Sequence, residues 1–409
     1  MKILVTVFAC SPQHGSEPGI GWGWIVALSN LCDLTVLTTT CNRPGIEEYQ
    51  KKKGKVSAQF IYEDVSSVSQ RLNLKGKGKV GVFVRLLLWQ RRIKYKLAEL
   101  VNGGDYDVLH HITLGAFRLP FSVVGYGSAS VVGPVGGCEL FPPHLFPEKG
   151  FKVKVRELAR NIITQLYVVY GYNMARFKKA DLTLSCTKEM SRVFAKWGVN
   201  SPVFPNIGMH HEQVLSEPKQ YRQIGSGGGL KLLFVGNLLY WKGLELAVLA
   251  LESLPNDITL CCVGEGADRA TFEALIKKRN LGHRVELLGS VARDELLEKY
   301  ATYDIFLFPS LHDSGGMAVI EAMRAGLPVI CLDAGGPGVS VTSDCGHVVS
   351  LGPKRDVVAR LRDAIIYYQD HPHEIAAHGE NARRRVAEEY NWSKNALRML
   401  GYYKSMIEK

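Results

Sequence analysis

The chain has 409 residues, long for a single domain of about 150, and its 46% hydrophobic and 22% charged residues with 41 glycines exclude an intrinsically disordered protein and predict two globular domains. Nine cysteines include no Cys-x-x-Cys pair, and Cys261 and Cys262 sit side by side in an apolar run, which argues for buried thiols over disulfides or zinc. The net charge of +11 is uneven: 29 Lys+Arg face 16 Asp+Glu through residue 229, a surplus of 13, whereas 21 face 23 beyond it.

After Met1 and Lys2, ILVTVFAC is too short for a secretory apolar region and has no cleavage pattern, so it reads as a first β-strand of a cytosolic protein. Short apolar runs then alternate with amphipathic segments: CDLTVLTT, AQFIYE, YDVLHHI, SASVVGPV and DLTLSCT in the first half, and LKLLFVG, ITLCCVG, VELLG, DIFLFPS and PVICLD in the second. That rhythm predicts βα units and parallel sheets, hence an α/β chain of two doubly wound domains. The expected domains are 1–205, a linker at 206–229 with Pro218 and a glycine cluster, 230–389, and a terminal helix at 390–409 packing back toward the first domain.

In chain order, Gly15 to Gly19 form a glycine-bearing loop after the first strand, where Glu17 lies between a possible helix cap, Ser16, and Pro18. Capping and a substrate contact are both open for Glu17. Residues 71–96 carry nine cations and no acid, interleaved with Val82, Phe83, Leu86, Leu87, Leu88 and Trp89. The stretch reads either as a solvated helical face or as a helix lying on an anionic membrane, and no apolar run is long enough to span one. Asp105 and Asp107 form a D-x-D in the turn before a strand, which favours a loop role over a metal site. His110 and His111 follow the strand residues YDVL, where a satisfied core group and a cleft histidine are both open.

In the second half, HDSGGMAVIEAM places Gly315 and Gly316 at a helix entrance, with Asp313 before them and Glu321 about five residues inside, roughly 7 Å along the axis. Such an entrance offers unpaired N–H groups and a positive dipole end to an anion, and glycine keeps it clear. Phosphates at the glycines, a polar ring at Asp313 and a ribose diol at Glu321 describe a nucleotide-sugar. GEGADR, residues 264–269, follows a strand and is weak evidence by itself.

The D-S-G-G-x4-E pattern, VGNLLYWKG upstream and PVI-x3-AGGPG downstream resemble the carboxy-terminal domain of the retaining family 4 glycosyltransferases. ACSPQHGSEPGIGW, YDVLHHITLGAFRLP and VVGPVGG resemble the other half of that family. The resemblance implies the GT-B fold, two Rossmann-like doubly wound domains facing across a cleft. It implies a retaining, metal-independent transferase, of hexosyltransferase type, that moves a sugar to a glycan or lipid-linked acceptor in cell-surface polysaccharide synthesis such as lipopolysaccharide or O-antigen. No cofactor is implied beyond the nucleotide-sugar donor.

Residue by residue, Lys242 matches the lysine that pairs with the donor diphosphate, Asp313 the acid on the transferred sugar and Glu321 the ribose contact. Asn237, Gly264, Gly266, Ser314, Gly315, Gly316 and Met317, with Gly15 and Gly19, complete the implied donor site. His110 and His111 fall where the family carries a cleft histidine, and Glu17, Gly136 and Gly137 fall toward the acceptor. Two departures stand out: Asn237 replaces an arginine of many relatives, leaving Arg293 or another cation to substitute, and the first acid is Asp rather than Glu. The expected partners are the donor, the acceptor and the inner face of a membrane. An epimerase or phosphorylase of the same fold is the alternative; a nucleic-acid-binding protein fits less well, because the cations alternate with aliphatics rather than stacking aromatics.

Overall fold

The computed structural model of the chain describes residues 1–64, 79–147, 150–210, 219–223 and 229–408. These form two units. The first contains strands β1 (Lys2–Val7), β2 (Asp33–Thr39), β3 (Ala58–Glu63), β4 (Val108–Thr113), β5 (Ala129–Val135) and β6 (Leu182–Ser185). With them go helices α1 (Ser16–Ser29), α2 (Arg43–Lys53), α3 (Lys79–Asn102), α5 (Met174–Lys179) and α6 (Lys188–Lys196), and the end of α4 (Phe151–Tyr170), whose residues 151–164 belong to the second unit. The strands pair in parallel in the order β3-β2-β1-β4-β5-β6.

The second unit repeats the plan with β7 (Lys231–Val235), β8 (Thr259–Val263), β9 (Val285–Gly289), β10 (Ile305–Phe308), β11 (Val329–Leu332) and β12 (Gly346–Val349). Its helices are α7 (Leu244–Leu251), α8 (Arg269–Lys278), α9 (Arg293–Tyr300), α10 (Met317–Arg324), α11 (Pro337–Ser340), α12 (Lys354–Asp370) and α13 (His373–Glu389). The order is β12-β11-β10-β7-β8-β9, the same doubly wound topology counted from β7. Each sheet therefore has a point where the winding reverses, between β1 and β4 and between β7 and β10, and the loops leaving the carboxyl ends of those strands diverge into a crevice.

One boundary differs from the sequence expectation. Residues 139–164 group with the second unit rather than the first. Phe141 packs against Tyr240, and the Tyr240 hydroxyl donates to buried Glu157 while accepting from Arg156 Nη2 at 2.7 Å. Most of the expected linker, 211–218 and 224–228, lies outside the described residues.

The last helix, α14 (Trp392–Ile407), belongs to the first unit. Its Trp392 ring packs edge-on to Trp24 at 5.3 Å, and a Cβ on Gly23 or Gly208 would meet that indole at 2.4 or 2.8 Å, so glycine makes the space for it. Below it, Tyr403 is fully buried with its hydroxyl 2.6 Å from His110 Nδ1.

That contact bears on the paired histidines, and the cleft role expected for one of them is not what the structure shows. Period-two alternation sends His110 and His111 to opposite faces of β4, and both faces are covered. His110 is 0% exposed: the Gly133 carbonyl accepts from its Nε2 at 2.8 Å, leaving Nδ1 to accept the Tyr403 hydroxyl. His111 is 2% exposed, bonded through Nδ1 to Thr6 Oγ1 at 2.8 Å and stacked on Phe121. Burial pulls the imidazole of His110 down to about 4 and, with His110 beside it, that of His111 to about 3.

Part of the basic stretch 71–96 is likewise core. Residues 71–78 lie outside the described set; in α3, Leu86 and Trp89 are buried in the first unit, Leu87 and Leu88 are half-buried, and Val82 and Phe83 are exposed.

Because both folded-state values lie below the ordinary 6.5, the unfolded chain binds more protons between about pH 4 and 6.5, and stability is present above that window and falls as pH drops through it. His110 alone contributes a loss on the order of 3 kcal/mol across the window. Denaturant midpoints at pH 7 and pH 5 check this: wild type loses stability at pH 5, and His110→Gln, which titrates nowhere in that range, shows a shallower fall.

Candidate active site

The crevice of the second unit is built by three loops. The one after β7 ends in Gly243, left-handed at φ 78°, where a Cβ would lie 1.8 Å from the Pro309 carbonyl that follows β10. Leu311 N–H donates to the Trp241 carbonyl at 2.8 Å, so the two loops are locked backbone to backbone. This aims Lys242 across the switch point. Its Nζ lies 2.5 Å from Asp313 Oδ2 and 5.4 Å from the centroid of the Phe308 ring, with side-chain exposures of 19% for Lys242 and 17% for Asp313.

Asp313 faces the entrance of α10 with its other oxygen. Oδ1 accepts from Gly316 N–H at 3.0 Å and from Gly315 N–H at 3.3 Å, so the short carboxylate caps the two orphan donors that follow it. Gly316 is the left-handed residue before α10, at φ 77°. The third loop, after β11, fixes the main chain of Asp313: Gly336 N–H donates to its carbonyl at 2.8 Å, and Gly335, at φ 58°, lies so close that a Cβ would meet that carbonyl at 2.2 Å. Ser314 and Met317 are half-buried at the same mouth, and Glu321 is half-buried in the second turn of α10. The structure thus joins Lys242 and Asp313 directly, where the sequence reading assigned them to different parts of a ligand, and Asp313 holds the N–H groups expected to meet phosphate.

Gly264 and Gly266 act on backbone. Their Cβ positions fall 2.1 Å from the Gly236 carbonyl and 2.3 Å from the Leu238 carbonyl, so the loop after β8 is pressed against the loop that carries Lys242. Asp268, in the same GEGADR stretch, was not singled out by the sequence; it is buried, and its Oδ2 accepts from Tyr240 N–H at 2.7 Å. Asn237 is exposed at the edge of this loop. As for a cation in place of the missing arginine, Arg269 is held by Glu265, Glu273 and the Leu287 carbonyl, and the side chain of Arg293 lies outside the described set. Among the described residues, no three His, Cys, Asp or Glu side chains gather as a metal site.

The first unit gathers a second set at the carboxyl ends of β1, β4 and β5. Gly15 is the exposed residue preceding α1, whereas Gly19 lies inside its first turns against the His14 carbonyl rather than in the loop. The N-cap position of α1 is Gly15 rather than Ser16, which is the first helical residue and left-handed at φ 56°. Glu17 instead reaches the loop after β4, its Oε2 accepting from Leu114 N–H at 3.3 Å, and burial raises its pKa. Leu114 is also left-handed, at φ 54°, and strain of this kind in non-glycine residues concentrates at functional sites. Gly136 N–H donates to the Gly115 carbonyl at 2.7 Å, and the Gly137 carbonyl accepts from Arg118 at 3.3 Å. Asp107 accepts from Lys2 N–H at 2.7 Å, a loop-fixing role for the D-x-D.

Residues 217–385 match the family model described as Glycosyl transferases group 1. Among curated proteins, the 2-deoxystreptamine glucosyltransferase of Streptomyces kanamyceticus is 31% identical over 186 residues, 44% of this chain and 47% of that protein. The chain spans about half the length of the curated relatives it matches. Among solved structures, sucrose-phosphate synthase from Thermosynechococcus elongatus superposes with a TM-score of 0.66 at 18% identity, covering 100% of this chain and 99% of that one. An Anabaena protein solved in complex with UDP gives 0.59 at 16% identity, covering 99% of this chain and 100% of that one. These likenesses identify the fold as GT-B, two Rossmann-like domains.

Removing the Asp268 carboxylate leaves a buried Tyr240 N–H without its acceptor, which costs about 1–3 kcal/mol. Asp268→Ala is expected to lower the urea midpoint of the second unit accordingly, with Asp268→Asn recovering part of the loss through its carbonyl oxygen.

Proposed function

We propose that the protein, whose residues 217–385 match the group 1 glycosyltransferase model, moves a hexosyl group from a nucleoside diphosphate sugar to a glycan or lipid-linked acceptor, with retention and without a metal. The observation that supports this best is the Lys242–Asp313 pair at the mouth of α10. A donor diphosphate offers more negative charge than one carboxylate to the same three donors, Lys242 Nζ and the N–H groups of Gly315 and Gly316. On this reading it displaces Asp313, which swings to accept from hydroxyls of the sugar, while Glu321 accepts from the ribose diol.

The chemistry then follows from charge. The bond from the anomeric carbon to the β-phosphate oxygen breaks, and Lys242 with the helix mouth stabilises the departing phosphate. The acceptor hydroxyl oxygen forms the new bond on the same face, and its proton passes to the leaving phosphate, so no protein nucleophile is needed. Glu17, with Gly136 and Gly137, is assigned to the acceptor. The Anabaena neighbour carries UDP, which makes uridine diphosphate donors the first to test. The acceptor class fits cell-surface polysaccharide synthesis at the inner face of a membrane.

A melting screen against UDP-, GDP- and ADP-sugars identifies the donor, because a bound donor raises stability by linkage. Lys242→Ala and Glu321→Ala are each expected to lower transfer at least tenfold, about 1.4 kcal/mol, with melting little changed. Wild-type rates in both variants contradict the assignment, and nucleoside diphosphate release without any acceptor contradicts transfer.

A further inference from the structure

The second unit has a recess at the end of its sheet away from the crevice. It lies at the amino ends of β7, β8 and β9 and at the approach to β10, with a volume of about 450 Å³. Strands of four or five residues put roughly 15 Å between it and the crevice. The register pairs Lys231 with Thr259 and Cys261 with Glu286, and because side chains alternate along a strand these four share one face of the sheet. All four line the recess, as do His283 and Arg284.

Its charged groups are left with unmet valences. Arg284 is 4% exposed; its Nε donates to the Ile258 carbonyl at 3.0 Å and its Nη1 to the Leu254 carbonyl at 3.1 Å, but its Nη2 is buried with no hydrogen-bond partner among the described residues. Asp257 is near enough to ease the buried charge. Lys231 and Glu286 are exposed on the neighbouring strands, and neither joins an ion pair among the described residues. A buried guanidinium edge without an acceptor costs free energy that an anion recovers. Two cations draw such an anion, whereas Glu286 repels a bare one. A ligand that satisfies all three carries an anionic group at one end and, at the other, hydroxyls that donate to a carboxylate. The volume suits a molecule of that size.

We infer that this recess binds a sugar phosphate, with its phosphoryl oxygens on Lys231 and the free edge of Arg284 and its hydroxyls on Glu286 and Thr259. A phosphomonoester is favoured over a carboxylate because its charge near −2 at neutral pH matches the two cations. The inference goes beyond the proposed transfer and does not rest on it, since the two sites lie at opposite ends of the sheet. They are joined through it: β7 and β10 start beside the recess and end in the loops that carry Lys242 and Asp313.

The test is calorimetric titration of the full chain with glucose 6-phosphate, inorganic phosphate and glucose, with no nucleotide present. Glucose 6-phosphate is expected to bind, and the other two at least tenfold more weakly. Lys231→Ala, a change at an exposed side chain, is expected to weaken glucose 6-phosphate about tenfold, the worth of one hydrogen bond to a charged group. Glu286→Gln is expected to bring inorganic phosphate and glucose 6-phosphate closer in affinity, because it removes a repulsion felt by the first and a hydroxyl acceptor used by the second. Arg284 is left in place, since it also holds the Leu254 and Ile258 carbonyls. Lys242→Ala is expected to bind glucose 6-phosphate as wild type does. Absence of saturable binding overturns the inference, as do equal affinity for inorganic phosphate and wild-type binding in Lys231→Ala. Loss of binding in Lys242→Ala also overturns it, by placing the ligand in the crevice. Melting shifts with nucleotide-sugars report on the donor site separately: retained glucose 6-phosphate binding with no donor shift sinks the transfer reading alone.

Discussion

The crevice of the second unit is closed by one ion pair, Lys242 with Asp313, held across the point where its sheet reverses direction. Each partner reaches it from a different loop, and the loops stay in register because side chains are missing where backbones meet, at Gly243 against Pro309 and at Gly335 against Asp313. Taking two charges largely out of water is costly, and the cost is offset only when the remaining valences are filled. Here Asp313 also accepts from two N–H groups, and the Lys242 ammonium lies over the Phe308 ring. The same donors suit a diphosphate, so on the proposed reading the resting site is a closed circuit that a more highly charged ligand opens.

The two sheets share a topology and use their switch points differently. In the second, the crevice is occupied by charge. In the first, it is occupied by strain, with Ser16 and Leu114 both left-handed and tied through Glu17, whose carboxylate crosses from α1 to the loop after β4. Among the described residues the first crevice holds no pair like Lys242 and Asp313, and the family match covers residues 217–385. The wedge of α14 under α1, with Trp392 seated on Gly23 and Gly208, ties the far end of the sequence to the element that begins this crevice.

Much of this was legible in the residues. Eleven apolar runs mark eleven of the twelve strands, because strands of a parallel sheet are covered on both faces and read as continuous hydrophobic stretches. The twelfth, β12, is four residues at the sheet edge, half-buried, beginning with glycine and histidine, and carries no such signal. The helix mouth was legible from Gly315 and Gly316, but its capping by Asp313 was not, since spacing does not say which acceptor a free N–H will take. The histidine pair misled for a related reason: polar residues at the end of a strand look accessible until the covering elements are known, and Tyr403, the partner that buries His110, lies 293 residues away. Asp268 escaped notice because an acid after two glycines reads as loop polarity, and only the fold brings Tyr240 to it. The basic run 71–96 reads as one surface by composition, yet within it Leu86 and Trp89 turn to the core, which spacing alone did not separate from the exposed Val82 and Phe83.

The most direct test of the central claim is a crystal structure of the protein soaked with the donor nucleotide selected by melting. The account predicts phosphate oxygens within hydrogen-bond distance of Lys242 Nζ and of the Gly316 N–H, with the Asp313 carboxylate rotated off both. A nucleotide bound elsewhere, with the Lys242–Asp313 pair and its two N–H contacts intact, contradicts it.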